Sequence, residues 1–587
     1  MTTRASDYRA LLTTYLRPQQ ARVALLAVAL VADIGLQLAN PQILRFFIDT
    51  ARSGGAPDAL ANAAGLFLAV VVGAQLVSSL ATYLSEDVGW TATNLLRADL
   101  ALHCLRLDSS FHKTHAPGEL IERVDGDTAV LSGFFSAFVI RVLGNGLLLV
   151  GILVLIARED WRVGLALLAY TGVALATLRC ARRLPARSFA AFRQASADLS
   201  GFWEEQLAGT EDIRANGAVA YALGRQDGLL RALMRHGRAT MVLGRAFLSV
   251  LEALTAVGSA LAFALGAYLL GAGAITIGTV FLVFYYTGLL SDRLGDITAQ
   301  LNTLQSASVG LARITDLYHT RPAIRDGAGA ALPPGPPALR FDDVSFGYDE
   351  GDLALQNVSF QLSPGRVLGV LGRTGSGKTT LARLVARLYD PRAGVILLDD
   401  VDLRDLRLTD LRHHIGLVTQ DVQLFGATVR DNLTLFAGGV ADERILRALA
   451  DLGLTAWYEG LPRGLDTEIA AGALSAGQAQ LLALARVFLR EPGLIVLDEA
   501  SSRLDPATER LLEQAIDRLF EDRSAIVIAH RLATVERADD ILVLDGGRAV
   551  ECGPRARLAA DPASHYARLL RVGLETPDAR ERREAPA

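Results

Sequence analysis

Residues 367–380 read VLGVLGRTGSGKTT. An apolar strand runs into Gly372-Arg373-Thr374-Gly375-Ser376-Gly377-Lys378-Thr379-Thr380, and TLARLVARLY (380–389) continues with helical periodicity. The spacing fits G-x-x-x-x-G-K-[ST]. In such a loop the glycines let backbone N–H groups approach phosphate oxygens at a helix start, where the dipole favours an anion. Lys378 is expected to hold the β- and γ-phosphates and the Thr379 hydroxyl to face Mg²⁺. Of the 58 basic residues only Lys113 and Lys378 are lysine. A chain that uses arginine almost everywhere else places a compact ammonium at this loop.

A phosphate cradle alone hydrolyses nothing, and LIVLDEA (494–500) supplies the carboxylates it lacks. A buried strand delivers Asp498 to a metal shell, and Glu499 beside it can orient and deprotonate an attacking water. Around these motifs LRFDDVSFGY, VILLDD, IGLVTQ, AIVIAH and DILVLDGG read as strands separated by helical stretches. That alternation predicts an α/β domain with a largely parallel sheet over 339–573. Before it, RPAIRDGAGAALPPGPPA (321–338) is dense in Pro and Gly and reads as a linker. After it, LETPDARERREAPA (574–587) is polar and expected to be disordered.

Upstream of residue 320 the composition changes. The chain is 51% hydrophobic, and its apolar residues gather in six runs, about 21–47, 61–85, 134–157, 162–184, 241–271 and 275–297. Each is long enough to cross a bilayer, and the first is too long for a signal peptide. Short connections (ARSGGAPDAL, ARED and GAG) alternate with two of about 50 residues. Arg4, Arg9, Arg17 and Arg22, with the arginines from Arg182 to Arg238, place both termini in the cytoplasm by the positive-inside rule. The expected fold class is therefore multidomain, with an all-α six-helix transmembrane domain (1–320) joined to an α/β P-loop nucleotide-binding domain. A formal charge of −5 without a basic, aromatic-interleaved stripe argues against nucleic acid as a partner. Cys104, Cys180 and Cys552 lack metal or disulfide spacing.

ALSAGQAQLL (473–482) opens another helix, and on its own Ser475 is an N-cap before an amphipathic run. Following the phosphate loop and preceding LDEASSRLD, however, the Leu-Ser-x-Gly-Gln pattern resembles the ATP-binding cassette (ABC) family. The resemblance covers the entire chain. It implies ATP and Mg²⁺ as ligands, with Tyr348 of VSFGY stacking on adenine and Gln420 of LVTQD contacting Mg²⁺ and the membrane domain. It further implies Asp505 of SSRLD in the D-loop and His530 of VIAHRL as the switch histidine near the γ-phosphate. Thr379, Gln420 and Asp498 are then the metal-shell residues, and Glu499 and His530 the catalytic ones.

In such a family Ser475, Ala476, Gly477 and Gln478 act in trans on the nucleotide held by a partner, so the chain resembles an exporter-type half-transporter that must dimerise. The family's second glycine is Ala476 here, and the preceding TEIAAGA lacks the usual acidic residue. A Cβ where backbone approaches phosphate weakens that contact. A second half-transporter chain is therefore the expected partner, a heterodimer favoured and a homodimer open.

SSFHKTHAPGELIERVDGD, near Phe111 to Gly118, and LAGTEDIRANGAV, near Thr210 to Asn216, resemble the two coupling helices. Polar residues within apolar runs are expensive and so are candidates for cargo contact: Asp33, Gln37, Arg141, Asn145, Arg245, Glu252, Tyr285 and Tyr286. The resemblance implies ATP-driven export of a lipophilic or amphipathic small molecule or lipid by alternating access. The protein would be a multi-pass protein of the cell membrane, in contact with lipid, its ATP-binding domain and both termini cytoplasmic. An exporter-fold importer of a metal chelate and an ATP-gated channel are the alternatives.

Overall fold

The computed structural model describes residues 13–137, 142–181, 183–348, 351–470, 474–498, 506–528 and 535–574. The chain divides into two compact units, 1–105 with 117–320 and 106–116 with 321–587.

In the first unit the long helices are Gln20–Arg52, Pro57–Arg106, Trp161–Ala181, Arg183–Ala208, Val219–Gly271 and Ile277–His319. Five described helices, within 13–52, 57–106, 142–159, 161–181 and 219–271, are long and apolar enough to cross a membrane. The run at 275–297 opens the Ile277–His319 helix, where Asp292, Arg293 and Asp296 dilute the apolar stretch. Within the run at 134–157, the Asp127–Ala137 helix covers the start and a π-type turn at 142–144 leads into Asn145–Glu159, while 138–141 lie outside the described residues. Several helices continue well past their apolar segments. Arg183–Ala208 and Val219–Gly271 pack against each other along such extensions.

At the short-connection side, one carboxylate joins two helices. Thr276 caps the Ile277–His319 helix by accepting the Thr279 N–H at 3.1 Å. Asp49, near the end of Gln20–Arg52, accepts from the Gly278 N–H at 2.9 Å and from the Thr276 hydroxyl at 2.7 Å. A carboxylate at a helix N-terminus satisfies otherwise orphaned donors and the positive end of the dipole. A Cβ on Gly278 would lie 2.7 Å from the Arg45 carbonyl, so glycine permits this approach.

The second unit carries three sheets. A six-stranded sheet has the order β12-β11-β3-β10-β9-β6, with β3 (Val367–Gly372), β6 (Ile415–Val418), β9 (Leu494–Asp498), β10 (Ser524–Ile528), β11 (Asp540–Asp545) and β12 (Arg548–Pro554). Its pairings are parallel except that of β11 with β12. Every residue of β9 and β10 is buried, as expected of parallel strands covered on both faces. Sequence reading missed a separate antiparallel sheet of β1 (Leu339–Phe346), β2 (Leu355–Leu362), β4 (Ala393–Leu398) and β5 (Val401–Asp402). Its apolar faces pack into a single core with β3, β9 and β10. A short β7 (Ala427–Thr428) and β8 (Glu468–Ile469) pair completes the set.

The 321–338 stretch lacks regular structure, but it does not hang free. Gly327 and Gly329 donate their N–H groups to the carbonyls of Leu406 (3.2 Å) and Asp405 (3.0 Å). A Cβ at Gly327 would come within 2.3 Å of the Asp405 backbone. Arg387, 3% exposed, donates to Arg325 O at 2.8 Å and Leu406 O at 3.2 Å and pairs with Asp390 at 3.0 Å. Glycine and proline density therefore marks close backbone approach here. Arg387→Ala should orphan these groups and lower the stability of this unit by on the order of 2–3 kcal/mol. Thermal unfolding of the purified full-length chain checks this, with a lowered Tm for the cassette transition as the expected outcome.

Candidate functional site

At the carboxyl end of β3 the backbone must turn inside a crowded space. Gly372 (φ +155°) is paired in register with Leu544 of β11, where a Cβ would stand 2.2 Å from the Leu544 carbonyl. Gly377 (φ +102°) caps the Lys378–Val385 helix, and a Cβ there would meet the Ala354 carbonyl at 2.7 Å. Between them Gly375 (φ +82°) faces open space, and Arg373 and Thr374 are exposed beside it. The loop is anchored at both ends and open at its crown.

Inside that loop two polar groups are buried. Ser376, 3% exposed, carries an Oγ with no hydrogen-bond partner among the described residues. Lys378, 5% exposed, folds back to donate to the carbonyls of Gly372 at 2.7 Å and Arg373 at 3.1 Å. An orphaned hydroxyl and a folded-back ammonium at an open crown fit an anion of phosphate size. Asp498 ends β9 in a buried position, and the Thr379 hydroxyl donates to its Oδ1 at 3.4 Å. This hydroxyl and carboxylate are hard oxygen donors of the type that hold Mg²⁺.

Tyr348 follows β1 and is joined to the same helix. Its hydroxyl lies 3.2 Å from Thr380 Oγ1 and accepts from Arg383 at 3.0 Å, while Phe346 and Tyr389 meet it edge-on. Burial, with Tyr348 adjacent, pushes the Tyr389 phenol up. Sequence reading missed a further neighbour. Lys113 of the Ser109–Thr114 helix, which belongs to this unit, places its ammonium 4.3 Å from the Tyr348 ring centroid. Asp108 caps that helix and accepts the Ala323 N–H; these donors and Ser110 hold its carboxyl below the usual range despite the burial that opposes them. The rarity of lysine singled out position 113, but no local pattern places it beside Tyr348.

Other expected residues fall elsewhere. Gln420 is exposed in the bend after β6, two residues beyond Val418, which pairs with Leu497 beside Asp498. Glu499, Asp505 and His530 lie outside the described residues. Ser475 caps the Ala476–Phe488 helix through a reciprocal box: it accepts the Gln478 N–H at 3.2 Å, and its own N–H donates to Gln478 Oε1 at 3.1 Å. That box accounts for Ser475 and Gln478 within the chain. Ser475 and Ala476 nonetheless stay exposed, leaving the helix start open to another molecule.

Residues 355–502 match the family model described as ABC transporter, and residues 23–294 match that of the ABC transporter transmembrane region. The chain belongs to the ABC transporter family. It is similar to an ATP-dependent lipid A-core flippase of Chromobacterium violaceum, 33% identical over 87% of this chain and 88% of the relative. A flippase of the same name from Pseudomonas aeruginosa is 32% identical over 85% of this chain and 83% of the relative. Among solved structures, a bacterial Atm1-family ABC exporter with ATP bound superposes with a TM-score of 0.80 at 25% identity, covering 97% of this chain and 99% of that one. This ABC transporter is thus a multi-pass membrane protein of the exporter type that binds and hydrolyses ATP, and half-transporters of this kind dimerise.

Lys113 is the nearer of two cations over the ring expected to stack on a purine, Arg383 lying 5.9 Å from its centroid. A cation–π contact at a partly exposed site contributes about 0.5–1 kcal/mol, so Lys113→Ala should tighten ATP binding by about two- to fivefold. Equilibrium binding of a fluorescent ATP analogue to the full-length protein measures this, and unchanged or weakened binding would show that the lysine does not compete with the base.

Proposed function

We propose that this ABC transporter exports a lipophilic or amphipathic small molecule or lipid by alternating access, powered by ATP and working as one half of a dimer. The observation that carries the reading is the Thr379 hydroxyl bonded to the buried Asp498 beside the open phosphate loop, in one chain with long apolar helices. Lys378 leaves the carbonyls of Gly372 and Arg373 for the β- and γ-phosphates, and Ser376 Oγ and the loop N–H groups of Arg373 to Thr380 complete the cradle. Tyr348 stacks on adenine. Thr379, Gln420 and Asp498 hold Mg²⁺, which when bound neutralises charge on the phosphates. Glu499 orients the attacking water and takes its proton, and His530 steadies the γ-phosphate as the bond to the ADP leaving group breaks.

Across the dimer Ser475, Ala476, Gly477 and Gln478 face the partner's nucleotide through the exposed helix start, with Asp505 at the same interface. ATP binding closes the two nucleotide domains and turns the cavity outward; hydrolysis reopens them. The arginine-rich segments keep the ATP-binding domain and both termini cytoplasmic. The Ala476 side chain weakens the contact this chain offers its partner, which supports a heterodimer with unequal sites. The lipid flippase relatives support a lipid or amphipathic cargo.

Glu499→Gln should keep MgATP binding while turnover falls by about a hundredfold or more, the scale of a lost general base; retained turnover would show the base is elsewhere. Native mass of the complex purified through a tag on this chain from its own host membrane is expected to show one 62.6 kDa copy plus a different half-transporter. Two copies of this chain alone would establish the homodimer.

A further inference from the structure

Within the first unit, a cavity of about 330 Å³ opens among the helices Gln20–Arg52, Pro57–Arg106 and Ile277–His319. This is the low end of the size range of small-molecule sites. Asp33, Gln37, Asn40, Gln75, Ser78 and Arg293 line it with polar groups. Leu36, Val71, Ala74 and Leu289 add hydrocarbon, and the Tyr285 ring stands among them. Asp33 and Gln75 lie inside helices apolar enough to span a membrane, where polar side chains are costly and mark sites.

The hydrogen bonds leave a definite remainder. Gln37 donates its amide to Asp33 Oδ2 at 2.8 Å and accepts from Arg293 Nη2 at 3.4 Å. The Arg293 charge is met by Asp296 at 3.4 Å, and Asp296 also accepts from Asn145. Asp33 Oδ1 and Asn40 Oδ1 are buried acceptors without a partner among the described residues, set against one such donor, Arg293 Nε. Asp33 itself is 9% exposed. Arg293 is the cation near Asp33, but it is shared with Asp296 and Gln37, so one guanidinium serves two carboxylates and the buried Asp33 Oδ1 keeps room for a further cation bearing hydrogen-bond donors.

We infer that this cavity binds the ammonium group of an amphipathic amine, Asp33 and Asn40 accepting its N–H donors while its apolar body lies against Leu36, Val71 and Leu289. The Tyr285 ring adds a face suited to a cation. The inference rests on the export reading above and names the chemical class of its cargo. Gln37 acts as a positioning residue, aligning Asp33 and Arg293. The other polar candidates take no part in this site. Tyr286 is fully buried and donates to the Leu38 carbonyl at 2.7 Å, and Arg245 and Glu252 pair with each other on one exposed helix face at 3.3 Å. Arg141 lies outside the described residues.

Three matched fluorescent probes test it on the assembled full-length protein in nanodiscs, with binding read by anisotropy above empty nanodiscs. They are dansylcadaverine, its N-pentyl analogue without the terminal amine, and N-dansyl-6-aminohexanoate. The ammonium probe should bind about tenfold tighter than either of the others, the scale of one hydrogen bond to a charged group. Asp33→Asn should erase that difference, Asp33→Glu should keep part of it, and Asn40→Asp should widen it. The last is a gain that a misfolded protein cannot produce. Equal binding of the three probes, tighter binding of the carboxylate as an anionic headgroup would require, or an undiminished preference in Asp33→Asn would overturn the site. Loss of ATP hydrolysis or of vesicle uptake by the wild-type protein, with the ammonium preference intact, would overturn the export reading instead.

Discussion

At Gly372 the β3 backbone runs against the Leu544 carbonyl of β11 with no room for a Cβ, and at Gly377 it runs against the Ala354 carbonyl just before β2. The phosphate loop is thus wedged between the six-stranded and the four-stranded sheet. Gly547, after β11, accepts from the Gln356 N–H at 2.7 Å and ties the same corner together. Because both loop ends are held by backbone packing, the crown can present its N–H groups without support from a ligand. Preorganisation of this kind is what electrostatic recognition of phosphate requires, since donors that must first be ordered lose much of their effect. The strand ends follow from the same corner. Register through β10 sets Ile528 beside Val370 on one side and Asp498 on the other, which brings the β9 carboxylate level with Thr379.

The helical unit solves a different problem, that of polar groups in apolar surroundings. Asp49 satisfies a helix start and Arg45 pairs with Glu159 at 2.5 Å, so charges near the short connections cancel within the unit. Tyr170 bridges two helices by donating to the Leu254 carbonyl at 3.0 Å and contacting Ser291 Oγ at 2.8 Å. These groups hold helices together and leave nothing over for a ligand. The cavity around Asp33 differs because its hydrogen bonds do not close, and that imbalance, rather than polarity alone, separates a site from a strut.

Much of the candidate nucleotide site was legible in the residues. The glycines, Lys378, Thr379 and Asp498 stand within short motifs whose geometry is local: a strand, a tight loop and a helix start. The helix start at Ser475 was equally legible as a cap, and the structure shows why Gln478 belongs to it. Less legible were the features made by distant contacts. The antiparallel β2 alternates buried and exposed residues where β9 and β10 are buried throughout, but which runs pair into which sheet is set by distant contacts. The 321–338 stretch reads as a linker by composition, and composition carries no record of the packing of its glycines against Leu406 and Asp405. The run at 134–157 is apolar apart from Ser136, Arg141 and Asn145, and hydropathy carries no record of the π-type turn at 142–144 within it.

By itself the sequence determined the membrane-spanning character of the first unit, the phosphate loop and the ABC family, because length of apolar run and spacing of motif are one-dimensional quantities. The tertiary structure decided which polar residues are spent on packing and which remain free. Tyr286 and Asp33 look alike as polar interruptions in apolar helices, but one is bonded to the Leu38 carbonyl and the other keeps an oxygen without a donor among the described residues. It also decided that Lys113 meets Tyr348 across more than 230 positions of chain. A hydrogen bond or a ring contact is settled by which atoms lie within a few ångströms, and that proximity is set by packing between elements whose sequences do not refer to one another.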